Sequence, residues 1–239
     1  CEVNSQGTLS VGQNVSLKLV SDFLNSSSVC ADKVNITPCD DIGILSENMT
    51  VEKWNTVLTT YYQNINADNY DGVIFAHGTD TLAFTAALLS IALCNTDIPI
   101  FIVSSNKPLY DPHSNGAENF RCAVECICAG ITPNIYVPYK NISDGRMYLH
   151  LASRITQCNN YSEDFNSVGM LDVSEYAADY GGCVNIAGNY RKSRHSYINN
   201  EIRLKPNKVL FIKPYVGINY DAYRYDGFSA VLHGTYHSG

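Results

Sequence analysis

The chain has 239 residues, 45% of them hydrophobic, enough for one large domain plus part of a second. Charged residues make up 16% and the formal net charge is −7, so the basic footprint that neutralises phosphates is missing, and neither nucleic acid nor an anionic membrane is expected as a partner. No apolar run is long enough to span a bilayer, and the first residues lack the basic-then-apolar pattern of a signal peptide.

In chain order, Glu2 to Ser5 reads as a possible first strand and Val34 to Thr37 as another. Val51, Trp54, Val57, Leu58 and Tyr61 then recur at helical spacing behind Thr50, a residue type that caps helix N-termini. Asp71 to Ala76 is a compact apolar strand, and Leu82 to Leu93 is apolar nearly all round, as in a helix packed within an α/β layer. The unit repeats with a strand at Ile98 to Val103, a polar loop from Ser104 to Gly116, and a helix marked by Ala117, Phe120, Val124, Ile127 and Cys128. A strand follows at Ile135 to Pro138.

The polar, basic stretch from Asn189 to Asn207 reads as a linker, giving a first domain over 1–190, a linker over 191–206 and a second domain over 207–239. In the latter, Lys208 to Ile212 and Phe228 to His233 read as strands. So short a segment does not build a stable domain unaided, so both chain ends read as cut. The alternation of strand-length and helix-length segments predicts an α/β fold: a doubly wound, flavodoxin-like, mostly parallel sheet followed by a smaller, truncated α/β domain.

The nine cysteines form no C-x-x-C pair, which argues against a zinc knuckle or a disulfide framework and for reduced thiols in a cytoplasmic setting. Cys122, Cys126 and Cys128 belong to one helix as small apolar side chains. The Asn-x-Ser/Thr triplets at Asn14, Asn25, Asn35, Asn48, Asn141 and Asn160 reflect an Asn/Ser-rich composition rather than glycosylation.

The chemistry concentrates at His77-Gly78-Thr79-Asp80-Thr81, which follows the carboxyl end of a predicted parallel strand and opens a helix, where open α/β sheets bind ligands. Backbone N–H groups there attract anions, and a hydroxyl beside a carboxylate can hold an amine and position a water. The ordinary alternative is a tight turn with N-capping Thr and Asp residues. Phosphate loops of the G-x-G-x-x-G or G-x-x-x-x-G-K-[ST] kind do not occur, which weighs against a flavodoxin-like nucleotide binder.

Asp71-Gly72-Val73-Ile74-Phe75-Ala76-His77-Gly78-Thr79-Asp80-Thr81 resembles the second signature of the bacterial asparaginase/glutaminase family. Gly43 to Thr50 is similar to its substrate-carboxylate loop, Gln6-Gly7-Thr8-Leu9-Ser10 resembles its first signature, and Asn115 to Asn119 is similar to its Asp-Gly-x-x-Asn helix start. Gly234 to Gly239 extends the likeness into the second domain.

The resemblance implies that Thr8 attacks the side-chain amide of L-asparagine, or of L-glutamine, and that water hydrolyses the acyl-enzyme. It makes Thr79 and Asp80 the outer members of a Thr–Lys–Asp relay, with Asp80 also holding the α-ammonium. Ser46, Glu47, Gly78 and Ser105 complete the implied substrate contacts. No cofactor or metal is implied, and self-association as a homodimer or homotetramer is. The sequence departs from the family at three places. No lysine occurs between Lys140 and Lys192, leaving Arg154, and Lys107 on another loop, as the nearby cations. The segment Val11 to Ser21 has no lid tyrosine, and Gln6 stands where the family has glycine. Within this resemblance His77 and His237 read as structural side chains. A glutaminase, an amidotransferase glutaminase subunit and a non-catalytic amino-acid-binding relative remain as alternatives.

Overall fold

The computed structural model describes residues 2–3, 9–10, 15–28, 30–39, 42–65, 69–174, 201–206 and 208–236. The chain divides into two compact units, 1–202 and 203–239.

The first unit opens with β1 (Glu2–Val3) and β2 (Leu9–Ser10), an antiparallel pair, followed by helix α1 (Val15–Leu24). Leu19 and Phe23, one turn apart on α1, are buried. Helix α2 (Val51–Asn64) starts where its cap predicts, with Thr50 Oγ1 accepting from the Lys53 N–H. Strand β3 (Val73–Ala76), helix α3 (Leu82–Ala92), strand β4 (Ile100–Val103), helix α4 (Gly116–Cys128) and strand β5 (Ile135–Lys140) then alternate. Strands β6 (Met147–Leu151) and β7 (Leu171–Asp172) complete a five-stranded sheet in the order β3-β4-β5-β6-β7.

The strands β3, β4 and β5 are parallel, while β6 and β7 join antiparallel. Alternation along β4 separates the core into two layers. Ile100 and Ile102 pack with Val57 and Leu58 of α2 and Leu82, Ala86 and Leu89 of α3. Phe101 and Val103 pack with Leu19 and Phe23 of α1 and Phe120, Ala123 and Val124 of α4. Both faces of the sheet are thereby covered, which is why β4 is buried at every position.

Two features depart from the sequence expectations. Val34 to Thr37 is not a strand: Val34 has extended backbone (φ −108, ψ 143), and Val34 and Ile36 pack against the core, but no ladder bonds form with any of the described residues. Side-chain burial alone drives that segment, without the paired backbone that defines a strand. Conversely, β6 is an additional strand. The turn after β5 closes by the Asn141 N–H donating to the Arg146 carbonyl, with Gly145 at φ 68, and the Asp144-Gly145 pair is the hairpin signal that marks it.

In the second unit, β8 (Val209–Ile212) and β9 (Ala230–His233) pair in parallel. Phe211 and Leu232 are exposed there, while Ile212 is buried.

Candidate functional site

The carboxyl ends of β3 and β4 come together in the first unit because the β4 ladder continues one residue past β3, the His77 N–H donating to the Val103 carbonyl at 2.8 Å. The predicted turn therefore sits at the end of the parallel strands. It opens onto a cleft of about 1530 Å³ lined by Ser46, Glu47, Gly78, Thr79, Asp80 and Ser105, among others.

Ser46 starts a one-turn 3₁₀ segment, Ser46–Asn48, and is buried. Its hydroxyl donates to Asp80 Oδ2 at 2.7 Å, while its carbonyl accepts from Thr81 Oγ1 at 2.8 Å. Thr81 occupies the N-cap position of α3 but uses its hydroxyl to fasten the loop rather than to cap the helix. These two bonds span 34 and 35 residues and clamp the 46–48 segment onto the turn.

Gly78 is required by that clamp. A Cβ there would lie 2.4 Å from Ser46 Oγ and 2.8 Å from Ser46 Cβ. Asp80 and Glu47 are exposed, and Thr79 is half-buried. An exposed carboxylate held by one hydroxyl keeps its remaining lone pairs for an ammonium.

Behind the turn, Trp54 Nε1 donates to Thr85 Oγ1 at 2.9 Å, Thr85 Oγ1 lies 2.9 Å from His77 Nε2, and His77 Nδ1 lies 2.7 Å from the Gly78 carbonyl. Burial holds the His77 imidazole below its ordinary pKa, against smaller opposing effects of the Gly78 carbonyl and Asp80.

The 104–107 segment is held by asparagines. Asn119 is fully buried, its Nδ2 donating to the Ser104 carbonyl at 2.9 Å and its Oδ1 accepting from the Lys140 N–H at 2.8 Å. Asn115 Oδ1 accepts from the Asn106 N–H, and Asn115 Nδ2 donates to the Lys140 carbonyl. Together they fix the β4 and β5 ends. Ser105 Oγ donates to the Lys107 carbonyl and lies 2.7 Å from Ser114 Oγ.

The fold thus brings Ser46, Glu47, Gly78, Thr79, Asp80 and Ser105 to one cleft. Thr8, Gln6 and His237 lie outside the described residues. Arg154 ends a 3₁₀ turn, Ala152–Arg154, is exposed, and is not among the residues lining the cleft, whereas Lys33 and Lys107 are. Trp54, Thr85 and Asn106 carry no functional mark in their sequence, whereas Asn115 and Asn119 belong to the stretch that resembles the family's Asp-Gly-x-x-Asn helix start.

A family model described as asparaginase, N-terminal, matches residues 4–186. The chain belongs to the asparaginase family. Among curated relatives, a glutamyl-tRNA(Gln) amidotransferase subunit of Methanothermobacter thermautotrophicus is 30% identical over 219 residues, covering 90% of this chain and 49% of the relative. L-asparaginase of Thermococcus kodakarensis is 28% identical over 149 residues, covering 62% of this chain and 43% of the relative. The chain spans about half the length of the curated relatives it matches. Among solved structures, the thermostable L-asparaginase from Thermococcus kodakarensis superposes with a TM-score of 0.60 at 22% identity, covering 91% of this chain and 61% of that one. That likeness supports the α/β fold. No helix among the described residues is long and apolar enough to cross a membrane.

Proposed function

We propose that this chain carries the amidohydrolase site of an L-asparaginase, converting L-asparagine and water to L-aspartate and ammonia. The observation that carries the reading is the Ser46–Asp80 pair facing the cleft at the carboxyl ends of β3 and β4. Asp80 takes the α-ammonium, and Ser46, Glu47, Gly78 and Ser105 surround the rest of the amino acid. The hydroxyl oxygen of Thr8 attacks the side-chain amide carbon, the C–N bond breaks with a proton passing to nitrogen, and ammonia leaves. Water then cleaves the threonine ester, releasing aspartate and restoring the hydroxyl. Thr79 and Asp80 serve the proton movements as relay members. Arg154 is a poor relay group because guanidinium stays protonated. Lys107 lines the cleft and Arg154 does not.

On this reading the protein is cytoplasmic and self-associating, with a first domain over 1–190, a linker over 191–206 and a second domain over 207–239. Purified full-length protein is expected to release ammonia from L-asparagine, and Thr8→Ala to abolish that release while aspartate still binds by calorimetry. An Ala variant at the wild-type rate removes Thr8 as nucleophile.

A second reading is favoured by the 30%-identical relative named as a glutamyl-tRNA(Gln) amidotransferase subunit. On it, the site releases ammonia from L-glutamine for a partner reaction. Asparagine and glutamine differ by one methylene, a small discrimination of about 1–3 kcal/mol for a pocket, so side-by-side kcat/KM values separate the two. Aspartate binding without turnover on either amide would instead mark a non-catalytic amino-acid-binding relative.

A further inference from the structure

Three side chains behind the turn form a line of hydrogen bonds whose direction can be assigned from the partners alone. The Gly78 carbonyl only accepts, so His77 Nδ1 carries a hydrogen and donates to it at 2.7 Å. A neutral imidazole then has Nε2 as an acceptor, and its partner at 2.9 Å, Thr85 Oγ1, must donate. Thr85 Oγ1 is free to do so because its own lone pair takes the Trp54 Nε1–H at 2.9 Å, and indole is a donor only. The hydrogen-bond direction therefore runs one way, from Trp54 on α2 through Thr85 on α3 to His77 and into the turn. The line is shielded from water at its centre: Thr85 is 2% exposed.

Its last link acts on a planar unit. The Gly78 carbonyl and the Thr79 N–H belong to one trans peptide and point in opposite directions. Fixing the carbonyl against His77 turns the Thr79 N–H away from the ring. Among the described residues no protein acceptor takes that N–H, and both Gly78 and Thr79 line the cleft. Gly78 has no Cβ and packs directly against Ser46, so the His77 bond and that contact together hold the rotation of this peptide.

We propose that His77 is a positioning residue: Trp54 and Thr85 hold it in the Nδ1–H tautomer, and it locks the Gly78–Thr79 peptide in the orientation that productive attack on the substrate amide requires. This rests on the amidase reading. The turn carries Thr79 and Asp80, so a small rotation of that peptide misplaces both, and misplacement of about 1 Å can cost about 100-fold in rate.

Two measurements on the full chain test it separately from that reading. The first is the tautomer of His77, from 15N shifts of the labelled protein, assigned by loss of the signal in His77→Gln. The Nδ1–H form is expected, and the Nε2 resonance should shift in Thr85→Val, which is isosteric but takes the hydrogen bond away from that nitrogen. The second is steady-state kinetics on L-asparagine and L-glutamine. Thr85→Val should lower kcat about 10- to 100-fold with KM within about threefold, and Thr85→Ser, which keeps the hydroxyl, should recover most of kcat. Trp54→Phe removes the N–H at the head of the line together with part of the ring, leaves the Thr85 hydroxyl in place, and should lower kcat by a smaller factor, which covers the case of a poorly folding Val variant. An Nε2–H tautomer in the wild type, or a folded Thr85→Val at the wild-type kcat, overturns the proposal. A wild type inert on both amides with the Nδ1–H tautomer would reject the amidase reading, and the catalytic role of His77 with it, while leaving the hydrogen-bond line established.

Discussion

Ser46 Oγ donates to Asp80 Oδ2 at 2.7 Å, joining a loop that precedes α2 to the turn that opens α3. This bond both orients the carboxylate and leaves it exposed to the cleft. Removing the hydroxyl in Ser46→Ala should weaken amino-acid binding by about 1–2 kcal/mol, a rise in Kd of about 5- to 30-fold. Calorimetric titration with L-aspartate at constant pH reads it directly; an unchanged Kd would mean that water holds Asp80 equally well.

The same pair makes Gly78 a sensitive position. Gly78→Ala should push Ser46 away, costing about 1–3 kcal/mol of stability together with the Asp80 contact. Because the obstruction is Ser46 itself, with Oγ 2.4 Å and Cβ 2.8 Å from the added methyl, Gly78→Ala combined with Ser46→Gly should restore stability but not ligand affinity. Urea midpoints of the two single variants and the double variant check this. Additive losses would place the strain elsewhere.

Asn119 ties the Ser104 carbonyl at the end of β4 to the Lys140 N–H at the end of β5, fully buried. Asn119→Ala leaves both backbone groups unpaired, a cost of about 2–4 kcal/mol. For a unit of this size that corresponds to a fall in Tm of about 5–15 °C by calorimetry. A shift under a degree or two would show that water replaces the amide.

His150, on β6, is completely buried, with Nδ1 2.8 Å from Ser167 Oγ and Nε2 without a partner among the described residues. Burial pushes its pKa down to about 4. The native state therefore keeps the ring neutral while the unfolded chain protonates it near pH 6.5, so the unfolded state binds more protons in between. Stability is complete above about pH 6.5 and falls as the pH is lowered toward 4, by up to about 3 kcal/mol. His77, also held down by burial, contributes with the same sign. Urea midpoints at pH 7 and pH 5 should differ accordingly, and His150→Gln should flatten most of the slope. An equal slope in that variant would assign it to other groups.

Much of the frame is written locally. The Thr50 cap, the apolar run at Leu82, the buried run at Ile100 and the His77 to Thr81 turn each carry their own signal, because capping, helix burial and parallel-strand burial leave marks within a few residues. The family membership is legible for the same reason, since its signatures are short and contiguous. The Val34 to Thr37 segment shows the limit of such signals. Its apolar residues do pack on the core, but a strand also needs a neighbour's backbone, and residues in sequence do not say whether one is present.

The sequence by itself determined the α/β class, the position of the turn and the chemistry available there: a hydroxyl, a carboxylate and a glycine in fixed order. Only the tertiary structure decided what those groups do to one another. Ser46 meets Asp80 across 34 residues, and Thr85 meets Trp54 across 31. A hydrogen bond depends on a few tenths of an ångström and on direction, and over such separations these follow from how α2, α3 and β3 pack, not from spacing along the chain. Gly78, read from its sequence as a tight-turn residue, is needed in the fold because Ser46 occupies the space its side chain would fill.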